Sequence, residues 1–209
     1  MRTDELIQVL AKDLQPVQPL RKPWLRASIW AVCSLAYAVA LLLAISPAPA
    51  LADIQHLTSL SQLAAFFTFM VAAFGAFAST VPGNGSNLLR WSVVGSLSWL
   101  VLLATHQDPG IPYQMPSSEW ECVIKIIGGG IPLFVLFIVM ARRAAPVNGP
   151  LTMALAALAI GALMNVMGCY SSPHTDSMAT LLWHGSSIVA LVFLGLLVGR
   201  TALRWLPSR

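Results

Sequence analysis

Six stretches of this chain are apolar over about 20 residues each, the length a helix needs to cross the hydrocarbon core of a bilayer. They run near Leu25–Ile45, Leu57–Ser79, Leu88–Thr105, Cys122–Ala141, Leu151–Gly168 and Met178–Gly199. In lipid every backbone amide must find a partner within the protein, so segments this long are helices. The gaps between them are short and rich in Pro, Gly, Ser and charge, which makes successive helices antiparallel neighbours. The pattern predicts an all-α membrane protein. A six-transmembrane-helix antiparallel bundle occupies residues 25–209, and a short N-terminal arm occupies residues 1–24. Charged residues make up only 10% of the chain, against about 25% in a soluble domain. So few charges cannot clothe a water-facing surface, and the lipid bilayer must cover much of it.

Lysine and arginine set the orientation. Arg2, Lys12, Arg21, Lys22 and Arg26 precede or open the first span, Arg90 closes the second gap, and Arg142 and Arg143 open the fourth. Arg200, Arg204 and Arg209 follow the sixth span. With six spans these all fall on one side, which places both termini in the cytoplasm. The first, third and fifth gaps hold no lysine or arginine but do hold Asp53, Asp108, Glu119, Glu121 and Asp176. Lys125, inside the fourth span near its outer end, is the exception and reads as a snorkelling side chain. Basic residues scattered between apolar blocks do not make a nucleic-acid face, so direct nucleic-acid binding is not expected. Ala48-Pro49-Ala50-Leu51-Ala52 resembles a signal-peptide cleavage site. However, the apolar stretch before it is too long and lies too far from Met1 for that reading.

Within the arm, Thr3 can cap a helix whose first residues, Asp4 and Glu5, suit the positive end of the helix dipole. Leu6, Ile7, Leu10 and Leu14 then recur at helical spacing and form one apolar face. Pro16 and Pro19 end this amphipathic helix. Alone in water it is marginal, so its apolar face needs a partner. Two partners fit: the membrane surface, with Arg21, Lys22 and Arg26 near anionic headgroups, or a groove on a cytoplasmic protein.

Cys122 lies at the outer entrance of the fourth span and Cys169 at the outer exit of the fifth, both on the oxidising side of the membrane. Their helices are joined by a short inner loop, so the geometry permits a disulfide but does not require one. Two unpaired thiols are the plainer alternative. His184 falls about two turns into the sixth span. With Cys122 and Cys169 it has the chemistry to hold a soft metal ion transiently, though a histidine bonded to a neighbouring helix is the plainer reading. No other cofactor is expected. Cys33, within the first span, reads as a small packing residue.

Gly128-Gly129-Gly130 and Pro132 weaken the fourth helix and are expected to interrupt it. Close helix packing is the other use of such glycines. Gly195 and Gly199 form a GxxxG in the sixth span, a packing motif that serves within a bundle or between copies in a homo-oligomer. HExxH, GxSxG and P-loop motifs are absent, and no span carries a central carboxylate. An enzyme is therefore not expected, and an ion-coupled transporter is disfavoured.

Thr3-Asp4-Glu5-Leu6-Ile7, Leu10-Ala11 and Pro16-Val17 resemble the opening of the NrsF-like membrane anti-sigma factors. The resemblance continues, in order, through Glu121-Cys122, Pro132, Arg142-Arg143-Ala144-Ala145-Pro146, Cys169, Trp183-His184, Gly199-Arg200 and Leu203-Arg204-Trp205. It implies a protein of the bacterial inner membrane with six spans, a cytoplasmic arm and two extracytoplasmic cysteines. It also implies a function: an extracytoplasmic-function sigma factor is held inactive at the membrane and released under oxidative or metal stress. Tyr170-Ser171-Ser172-Pro173-His174-Thr175-Asp176 is less acidic than that family's usual segment, which leaves the inducer open. The expectation is thus a stress-sensing anti-sigma factor, with Cys122 and Cys169 as sensor and Leu6, Ile7, Leu10 and Leu14 as sigma dock, and the Arg142–Arg143 loop as a candidate second contact. A small membrane redox carrier or transporter using the same cysteines is the alternative, and a non-sensing scaffold is a third reading.

Overall fold

The computed structural model describes residues 20–45, 60–81, 86–105, 119–144, 146, 148–171 and 177–203. The described residues form six helices and no strand: α1 (Pro23–Ile45), α2 (Leu60–Ala78), α3 (Ser86–Thr105), α4 (Glu119–Arg142), α5 (Gly149–Ser171) and α6 (Ser177–Ala202). Five of them, all but α3, are long and apolar enough to cross a membrane. Arg90, Ser92, Ser96 and Ser98 dilute the apolar run of α3. Each of these serine hydroxyls donates back to its own helix, to the carbonyls of Leu88, Ser92 and Gly95 respectively. That satisfies the hydroxyls where no water is at hand. The proposed arm helix, with Leu6, Ile7, Leu10 and Leu14, lies outside the described residues.

The hub is α5. Its span is 72% buried, against 22–44% for the other four, and α1, α2, α4 and α6 all pack against it. Its sequence explains this position. Ala154, Ala156, Ala157, Ala159 and Ala162 are all buried, and such small side chains let neighbouring backbones come close. By contrast, α3 packs against α2 and α6 and turns Val93, Val94, Leu97 and Val101 outward.

Glycine sharpens the packing. A methyl group on Gly195 would come 2.7 Å from the Met153 carbonyl oxygen, and one on Gly199 would come 2.5 Å from that of Gly149. The GxxxG of α6 therefore serves the contact with α5 inside the bundle. In α4 the glycine triplet does not break the helix, which runs unbroken from Glu119 to Arg142 through Pro132, so the expected interruption is corrected. Tight neighbours are the reason for two of the three glycines. A methyl on Gly130 would meet Ile160 at 2.8 Å, and one on Gly129 would meet Leu41 and Met164 at 3.1 Å. Gly128 faces open space. Cys33 is also corrected: it is exposed on α1 and packs no core.

These contacts give a paired prediction. Gly199→Ala should lower the unfolding free energy in mild detergent by about 1–3 kcal/mol, the usual cost of overpacking. Gly128→Ala should be neutral, or stabilising by about 0.5–1 kcal/mol, because a helix favours alanine over glycine. Thermal unfolding of the two variants side by side measures both.

Candidate functional site

Arginine and hydroxyl side chains tie helix termini together at one end of the bundle. Arg26 opens α1, and its Nη2 donates to the Met140 carbonyl near the end of α4 at 2.6 Å. Arg142, the last residue of α4, donates from Nε to the Ala202 carbonyl at the end of α6 at 2.7 Å. The hydroxyls of Ser79, just past α2, and Thr152, in the first turn of α5, share a hydrogen bond at 2.8 Å. The start of α1, the ends of α2, α4 and α6, and the start of α5 therefore meet.

Helix ends explain why arginines sit there. The last carbonyls of a helix have no partner within it. At the end of α4, Ala144 N–H turns to the Ala141 carbonyl at 2.9 Å, which leaves Met140 open to an outside donor. A guanidinium is well suited to this position, since its charge also opposes the negative end of the helix dipole. Arg26 thus caps α4, and Arg142 caps α6. The two caps connect the first turn of α1 to α4 and α4 to α6.

Beneath Arg26 lies an aromatic cluster. The Arg26 guanidinium sits 5.2 Å from the centroid of the Phe77 ring, a cation–π contact. Trp30, one turn further into α1, is fully buried among Phe69, Phe77 and Phe137, with centroids 5.7–6.2 Å apart. Phe77 and Phe137 meet edge to face at 5.0 Å. The Trp30 indole N–H reaches the Leu133 carbonyl of α4 at 3.4 Å. The cluster joins α1, α2 and α4.

Sequence reasoning grouped Arg26 with Arg21 and Lys22 as a headgroup contact. Arg21 and Lys22 are exposed, but Arg26 is only 7% exposed, which corrects its place. The available signal was spacing: Arg26, Trp30, Ser34 and Ala38 recur every four residues, and all are buried. Asn165, 1% exposed in the interior of α5, is a further polar side chain within a span and so a functional candidate.

The predicted sensor residues fall elsewhere. Cys122 lies in the first turn of α4, Cys169 in the last turn of α5 and His184 two turns into α6. In each helix this is toward the end away from the arginine caps. Their side chains, like His174, lie outside the described residues. No group of three or more His, Cys, Asp or Glu forms a metal-binding cluster among the described residues.

Five helices long and apolar enough to span a bilayer, one of them the small-residue hub α5, mark a polytopic helical membrane protein. The chain matches the family described as Negative regulator of sigma F over residues 10–205, and with so much of its length covered it belongs to that family. The family description indicates a negative regulator of a sigma factor, with a sigma factor as partner. Leu10 and Leu14 fall within the matched segment, whereas Leu6 and Ile7 precede it. No curated protein and no solved structure matches the chain.

The Arg26 cap can be tested directly. Arg26→Ala should cost about 1–3 kcal/mol of stability, the penalty for leaving a buried carbonyl without its donor. Arg21→Ala and Lys22→Ala, at exposed positions, should stay within about 0.5 kcal/mol of the parent. Thermal unfolding in detergent of the three single variants gives the comparison.

Proposed function

We propose that this protein is a six-span membrane anti-sigma factor of the bacterial inner membrane that holds an extracytoplasmic-function sigma factor and releases it under oxidative or metal stress. Membership of the sigma F regulator family across residues 10–205 carries the reading. In this reading α3 also crosses the bilayer and brings the number of spans to six, and Val93, Val94, Leu97 and Val101, exposed on its outer side, support that assignment. The helices alternate in direction and both termini are cytoplasmic. Arg21, Lys22, Arg26, Arg90, Arg142, Arg143 and Arg200 all open or close helices at what would be the cytoplasmic end, in accord with the positive-inside rule.

Docking falls to the arm. Leu6, Ile7, Leu10 and Leu14 would lie in a groove on the sigma factor and deny it to RNA polymerase. Sensing falls to Cys122 and Cys169. Their oxidation to a disulfide, with two electrons passing to an oxidant, or their capture of a soft metal ion with His184, would favour one arrangement of α4 and α5 over another. A signal shifts such a balance only if it binds or bonds differently in the two states. Arg26 supplies a physical connection between sensor and dock. It caps α4, the helix that begins beside Cys122, and it lies only a few residues beyond the arm.

Two variants of the full chain test the two halves separately. Deleting residues 3–16 should abolish co-purification of the sigma factor while the membrane domain still inserts; retained co-purification would sink the docking role. Cys122→Ser combined with Cys169→Ser should leave the sigma factor bound but abolish its release by oxidant or metal, read from a sigma-dependent promoter. Unchanged induction would remove the cysteines from the sensing role.

A further inference from the structure

A groove runs between α4 and α6 with α5 as its floor. Ile127, Ile131 and Ile138 line one wall, Leu191 and Val198 the other, and Met153 the base. The lining is almost wholly apolar. Eleven residues separate Ile127 from Ile138, which at 1.5 Å per residue gives a length of about 16 Å. Half of a hydrocarbon core is about 15 Å, so the groove is one leaflet deep.

What lies at its mouth distinguishes it from an ordinary lipid-facing crevice. Arg142 follows Ile138 by four residues and so continues the groove face of α4. Its Nε bridges to the Ala202 carbonyl of α6, across the mouth, at 2.7 Å. The residue is nonetheless exposed, which leaves the outer edge of the guanidinium toward the membrane interface. The slot is closed by a side-chain bridge at this end. It suits a single hydrocarbon chain better than a helix about 10–12 Å across.

We infer that this groove binds one anionic phospholipid, with an acyl chain along Ile127–Ile138 and its phosphate at Arg142. A guanidinium already committed through Nε still presents its Nη donors, and phosphate is the group such donors recognise. The bound lipid would add to the contact between α4 and α6 along their open side. The inference needs the membrane setting but not the sigma factor.

Native mass spectrometry of the full chain, released from detergent holding equal amounts of phosphatidylglycerol and phosphatidylcholine, tests it. The parent should retain one phosphatidylglycerol in preference to phosphatidylcholine by about fivefold or more, the effect of one interfacial arginine. Arg142→Gln should erase that preference. Ile131→Trp should reduce retention of both lipids, because Ile131 is 57% exposed at the groove rim and a larger ring there fills the slot without disturbing the helix contacts. Leu194→Trp, filling from the α6 side, provides a second variant should the first fold poorly. Equal retention of the two lipids by the parent would overturn the inference. So would retention that neither tryptophan variant reduces, or a lipid-free dimer whose interface the tryptophans disrupt.

Discussion

Apolar side chains gain little by meeting one another in a bilayer, because lipid tails offer the same company. What holds such a bundle together is closeness. The alanines of α5 and the glycines of α6 and α4 supply it, bringing backbone to backbone where larger residues would hold the helices apart. The other contacts depend on that approach. The Trp30–Phe77–Phe137 cluster closes only because α1, α2 and α4 are gathered round the same hub.

Closeness alone does not fix which helix ends meet. That selection falls to a few polar groups that lipid cannot satisfy. A carbonyl orphaned at the end of α4 needs a donor, and Arg26 supplies it. A second orphan, at the end of α6, takes Arg142. Each pairing makes a buried or interfacial charge tolerable and a helix terminus complete, so the same bond answers two costs. Specificity at this end of the molecule therefore rests on hydrogen bonds, and adhesion in the middle rests on size.

Much of the fold was legible in the sequence because hydropathy over 20 residues is a strong and local signal. All six helices fall within a few residues of the predicted stretches, from Pro23–Ile45 to Ser177–Ala202. Readings that depended on a neighbour fared less well. A glycine-rich, proline-bearing run looks like a break until Ile160, Met164 and Leu41 are seen filling the space that side chains would need. Arg26 looks like a headgroup contact until Met140 and Phe77 are placed beside it. The GxxxG could not choose between inside and outside, because spacing describes a face but not what lies opposite. Family membership was readable from motifs in order along the chain. The chemistry at Cys122, Cys169 and His184 was readable only as a set of residue types placed toward helix ends away from the arginine caps.

The cap on α4 has a geometric corollary for any partner. Through Arg26 the chain enters the bundle at a fixed point beside the turn between α4 and α5. Eight residues separate Lys22 from Leu14, a leash of at most about 26–29 Å even when fully drawn out. A protein gripping that leucine would be confined to the patch of membrane beneath this turn, within touching distance of Arg142 and Arg143. The tether would make their contact nearly intramolecular, so that even a weak basic surface there would add appreciably to retention.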